Sequence, residues 1–84
     1  MKEVDRSNLL MWKMYKDRFM FQTEDSAIHR KMKGRKSFIK SAVSPNRKFW
    51  TYYCDLPSMR DAKSRFKSIC GRAARYCKDE EIYY

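Results

Sequence analysis

Ser64, Ser68 and Gly71 fall together on the outward side of the helix that their surroundings predict. Arg60, Lys63, Lys67, Arg75 and Lys78 ring them, with Arg65 and Arg72 on the far flank. Small residues at such a centre would let a phosphate backbone approach closely, and the long cations would reach its charge while the hydroxyls add short hydrogen bonds. A solvated face carrying Lys and Arg for solubility accounts for the same charges. It accounts less readily for the glycine, which costs about 1 kcal/mol against alanine inside a helix.

A second cluster, Arg30, Lys31, Lys33, Arg35 and Lys36, places five cations within seven residues. Favourable interaction with a helix C-terminus would explain some of them, at about 0.3–1 kcal/mol each. Arg47 and Lys48 could extend the same surface from a hairpin turn. Phe49 and Tyr53 could offer stacking platforms for unpaired bases, or pack beneath the N-terminal segment.

Other chemistries find little support. Cys70 and Cys77 stand seven apart, no C-x2-C or H-x3-H spacing occurs, and His29 is the only histidine, so no metal site is expected. No nucleophile–base–acid set is apparent, and there is no Walker loop or G-x-G-x-x-G. Glu24-Asp25 and Asp79-Glu80-Glu81 read as a helix start and a frayed tail, not as ligands for a catalytic cation. The expectation is a protein that is not an enzyme and needs no cofactor.

The charge is segregated along the chain. Residues 1–29 carry five basic and five acidic side chains, whereas residues 30–78 carry fifteen cations against Asp55 and Asp61, a net of +13. Asp79, Glu80 and Glu81 return part of this, leaving +10 overall. Charges of one sign that add locally are what a polyanion-binding face requires. No apolar run approaches the ~20 residues of a membrane span. The start, Met1 to Arg6, lacks the apolar core of a signal peptide, so a cytoplasmic protein with reduced cysteines is expected, or one acting in a host cytoplasm if viral.

The elements that would position these residues follow from pattern. With 84 residues, two glycines and two prolines, the chain reads as a single domain over 1–84, with 79–84 as an acidic and aromatic tail. Leu9, Trp12, Tyr15 and Phe19 recur at helical spacing, which predicts a short helical segment from near Asp5 or Ser7, followed by a strand over about 15–22. Thr23 to Ser26 reads as the start of a helix that buries Ile28 and Met32 and ends at Gly34. Residues 37–44 and 47–55 predict a β-hairpin turning at Ser44-Pro45-Asn46-Arg47, with Trp50, Tyr52, Cys54 and Leu56 on one side.

Ser58 followed by Asp61 marks a helix start. From there Met59, Ala62, Phe66, Ile69, Cys70, Ala73 and Cys77 form one apolar stripe, predicting a helix over about 58–77. The run Ser58-Met59-Arg60-Asp61-Ala62-Lys63 resembles the opening of the second helix of double-stranded RNA-binding domains. That resemblance covers six residues and would make Arg60 and Lys63 phosphate contacts; Met59 stands where the family has a cation.

The fold expected is therefore α+β, a small antiparallel sheet packed against an amphipathic C-terminal helix. The function expected is nucleic-acid binding through Arg30, Lys31, Lys33, Arg35, Lys36, Arg47, Lys48, Arg60, Lys63, Ser64, Lys67, Ser68, Gly71, Arg72 and Arg75. The alternative is a compact inhibitor or adaptor, of the kind that small viral or mobile-element genes encode. Its target would be an acidic or nucleic-acid-binding protein, and six Met, six Tyr and five Phe would serve such an interface.

Overall fold

The two apolar runs near the N-terminus build the middle of a sheet. In the computed structural model, which describes residues 8–14, 17–43 and 49–84, β1 (Leu9–Lys13) and β2 (Arg18–Thr23) pair antiparallel, Leu9 opposite Thr23 and Lys13 opposite Phe19. The helical segment expected from Leu9 and Trp12 is thus corrected to a strand. Leu9, Leu10 and Met11 are all buried, so both faces of β1 are apolar and the alternation that betrays a strand is missing. The start proposed near Asp5 or Ser7 lies outside the described residues, and so does Tyr15.

α1 (Ser26–Lys33) begins where its sequence stops satisfying a strand. The Asp25 carboxylate accepts from the backbone N–H of Ala27 at 2.8 Å and of Ile28 at 3.4 Å, which satisfies two otherwise orphaned donors. Gly34 caps the other end in a right-handed conformation, so this stop does not use the glycine's conformational freedom.

β3 (Ile39–Val43) and β4 (Trp50–Asp55) form the expected antiparallel hairpin, with a bulge between Lys40 and Ala42. Its proposed turn, Ser44 to Arg47, lies outside the described residues. Alternation separates two sides of β4 without choosing between them, and the side with Tyr52, Cys54 and Leu56 is the buried one, with Trp50 packed against the same core.

α2 (Met59–Cys70) starts where predicted and stops earlier than predicted. Ser58 accepts from the Asp61 N–H at 3.3 Å and donates to the Asp61 carboxylate at 3.0 Å. The helix does not run to Cys77. Gly71 turns left-handed at φ 81°, its N–H closing on the Lys67 carbonyl at 2.8 Å, and the chain leaves the helix axis. Beyond it, β5 (Tyr76–Cys77) and β6 (Ile82–Tyr83) pair with each other, and β6 also pairs with β1, Tyr83 opposite Met11. The acids expected to fray instead form the turn between β5 and β6, where Glu81 holds a positive φ of 55°.

The result is a six-stranded antiparallel sheet ordered β3-β4-β2-β1-β6-β5, with two helices on one face. Leu9 and Met11, Phe19 and Phe21, and Tyr52 and Cys54 face Ile28 and Met32 of α1 and Ala62, Phe66 and Ile69 of α2 in a single core. Full burial of a side chain such as Phe66 stabilises the fold by about 1.5–3 kcal/mol. The core therefore fixes both helices to the same side, which decides where their outer charges point. Among the described residues no helix is long and apolar enough to cross a membrane.

Candidate nucleic-acid interface

Because α1 and α2 share one core, their outward sides share one surface. α1 carries Arg30, Lys31 and Lys33 and no acid; α2 carries Arg60, Lys63, Arg65 and Lys67 against Asp61. Seven cations thus face one carboxylate across the helix layer. Arg30, Lys31, Lys33, Lys36, Arg60, Lys63 and Lys67 are exposed, and none of them is ion-paired among the described residues.

Two contacts join the basic clusters. The Lys31 ammonium donates to the Ile69 carbonyl at 3.4 Å, and the Arg35 guanidinium donates to the Ser68 hydroxyl at 2.8 Å. The loop cluster and the α2 face, more than thirty residues apart in sequence, are therefore one patch.

A cavity of about 310 Å³ opens between them. Asp61, Ser64, Arg65 and Ser68, spaced three and four apart on α2, form one wall; Arg35 and the β4–α2 junction, Leu56 and Pro57, form the rest. Ser64 and Ser68 thus border a recess and do not sit at the centre of a convex face. On the other flank of α2, the Lys63 ammonium lies over the Tyr83 ring, 5.4 Å from its centroid.

The remaining expected residues are placed differently. Gly71 is the left-handed cap, which accounts for a glycine at that position, and no atom lies within 4 Å of where its Cβ would be. Arg72 folds back on the chain end, donating to the carbonyls of Ala73 at 3.3 Å and Tyr84 at 3.1 Å with its guanidinium 5.7 Å from the Phe66 ring. Arg75 exchanges backbone hydrogen bonds with Tyr84 and so belongs to the β5–β6 ribbon, not to the helix. Arg47 and Lys48 lie outside the described residues. Arg65, on the same α2 stripe as Asp61, Ser64 and Ser68, was not among the expected contacts. The helical wheel puts it on the far flank of the Ser64 and Ser68 face, whereas its spacing of four from Asp61 and three from Ser68 puts it at the recess.

The aromatics are partly committed. The Tyr53 ring is covered on one side by the Arg18 guanidinium at 4.0 Å, and Arg18 is in turn paired with Asp55 at 2.8 Å, which holds that carboxyl below its ordinary range. Phe49 is half-buried. His29 stacks on Trp50 with ring centroids 4.2 Å apart and planes within 6°, and its Nε2 lies 3.0 Å from the Tyr52 hydroxyl. Burial lowers the His29 pKa below its ordinary value, with Lys33, Lys40 and Arg30 adding repulsion.

The three cysteines are free, Cys54 fully buried with its thiol pKa pushed up by that burial. No group of three or more His, Cys, Asp or Glu side chains is arranged to hold a metal among the described residues. Compared with protein-family models, with curated proteins and with solved structures, the chain matches none.

Proposed function

We propose that this protein binds nucleic acid through phosphate contacts made by the outer surface of its helix layer. One observation carries the proposal: two helices fixed side by side by a common core present seven cations against one acid. Arg35 and Lys36 extend that patch around the end of α1. A surface of this kind neutralises several backbone charges at once and releases their counterions. The exposed lysine ammoniums and serine hydroxyls are suited to holding a phosphate backbone, which fixes register without reading sequence.

Salt dependence tests this. Anisotropy of labelled duplex and single-stranded oligonucleotides should show affinity falling by about a decade or more between roughly 50 and 200 mM salt, if several phosphates are engaged. Binding absent at low salt, or indifferent to salt, rejects the proposal.

A second reading, a protein-binding inhibitor or adaptor, draws on a different part of the molecule. Ile39 on β3 and Tyr76 on β5 are about half exposed, and these are the two outer strands of the sheet. Outer strands bearing apolar side chains are suited to pairing with another chain. A partner retained after nuclease treatment and lost with Ile39→Lys favours this reading. Loss of all partners on nuclease treatment favours the first.

A further inference from the structure

We infer that the recess bordered by Arg35, Ser64, Arg65 and Ser68 is a binding site for a phosphomonoester, the terminal phosphate of a nucleic-acid strand. This inference rests on the nucleic-acid reading and specifies which part of the ligand the recess takes. The Arg65 side chain is half-buried, and its guanidinium has no hydrogen-bond or ion-pair partner among the described residues. A half-buried cation in that state has lost part of its hydration without compensation, and an anion in the recess would restore it.

The donors match a terminal phosphate. Two guanidiniums offer planar, forked sets of N–H groups, and the Ser64 hydroxyl has no partner among the described residues. Ser68 already holds Arg35 at 2.8 Å, which pre-orders that guanidinium at the rim. A terminal phosphomonoester carries about −1.5 to −2 charges and three oxygens free to accept, as in a phosphorylated side chain. A mid-strand diester has two free oxygens and a sugar on either side, which hold it away from a recess walled by α2 and by Leu56 and Pro57. At about 310 Å³ the recess has ample room for a terminal phosphate, and no aromatic side chain lines it, so it offers a base nothing to stack on.

Asp61 opposes the ligand. Its carboxylate lines the same recess, engaged by the Ser58 hydroxyl at 3.0 Å, and cancels one of the two guanidinium charges. This gives the inference a variant that should gain function. Asp61→Asn keeps an acceptor for Ser58 and removes the repulsion.

The test compares strands of one sequence, labelled at the 3′ end, carrying either a 5′-phosphate or a 5′-hydroxyl. The phosphorylated strand should bind about tenfold more tightly, the worth of one charge-assisted hydrogen bond. Arg65→Ala should remove that preference without changing affinity for the hydroxyl strand by more than its single charge requires, and Asp61→Asn should widen it. An unlabelled nucleoside 5′-monophosphate serves as competitor. Displacement at the strand's own concentration assigns the site to a free ester, and displacement only at far higher concentration assigns it to a strand end; either supports a phosphomonoester pocket. Equal, salt-sensitive binding of both strands overturns the pocket and leaves the nucleic-acid reading standing. Binding of neither strand overturns both.

Discussion

The Arg35 guanidinium donates to the Ser68 hydroxyl across 2.8 Å, tying the loop after α1 to the outer side of α2. Neither residue is near the other in sequence, and neither is apolar; the packing of Ile28 and Met32 beside Phe66 and Ile69 brings them together. The basic patch is therefore a product of the core. Two clusters of cations more than thirty residues apart in sequence become neighbours once both helices lie on the same side of the sheet.

Gly71 separates a structural role from a binding role. Its φ of 81° is left-handed, and a Cβ there would meet nothing within 4 Å, so the cost of a side chain is conformational alone. Gly71→Ala should destabilise the fold by about 1 kcal/mol. Thermal unfolding should register this as a fall in Tm of about 4–8 °C. Nucleic-acid affinity below the transition should be unchanged. A large loss of affinity with no change in Tm would instead place Gly71 in the interface.

Ser58 tests whether α2 depends on its cap. Its hydroxyl accepts from the Asp61 N–H and donates to the Asp61 carboxylate. Ser58→Ala should cost about 1 kcal/mol by chemical denaturation. Ser58→Asp should recover less than usual for a capping carboxylate, because Asp61 is close and of like charge. A neutral Ser58→Ala would mean the helix is held by its buried stripe alone.

His29 should make stability depend on pH. Its folded pKa lies below the ordinary 6.5, chiefly through burial and then through Lys33, Lys40 and Arg30. The unfolded chain therefore takes up the proton first as pH falls. The contribution to stability is complete above 6.5 and is lost as pH drops from there through the folded value. His29→Gln should flatten the dependence of Tm on pH between about 7.5 and 5 relative to the parent. An imidazole seen by NMR to titrate at or above 6.5 in the folded protein would contradict this.

How much of this could be read from the residues alone varies by element. The start of α2 was legible because Ser58 supplies a cap and Met59, Ala62, Phe66 and Ile69 keep strict spacing. Its end was not. Ala73 and Cys77 stay in phase with Cys70 beyond Gly71, and periodicity cannot register that one residue has turned left-handed. β1 was misread for the opposite reason. Leu10 and Met20 are 2% and 5% exposed on the face away from the helices, so apolar residues run through both strands without alternating. In β4, by contrast, alternation separates Tyr52 and Cys54 from Thr51 and Tyr53, but aromatics on both sides leave open which side faces the core. The candidate site was half legible: the charges of α1 and α2 could be counted, but the recess depends on Arg35 meeting Ser68, a tertiary meeting that no local pattern announces.

The proposed binding requires phosphates to be held by the helix layer and not by net charge spread over the whole surface. Lys67 on α2 and Lys13 at the end of β1 are both exposed, and Lys13 borders a separate cavity with Glu80 and Glu81. The deciding measurement is the slope of log affinity against log salt for Lys67→Gln and Lys13→Gln, each set against the parent. Lys67→Gln should lower the slope by about 1, the signature of one lost phosphate contact, while Lys13→Gln leaves it unchanged. Equal changes in both variants, or none in Lys67→Gln, would contradict the claim.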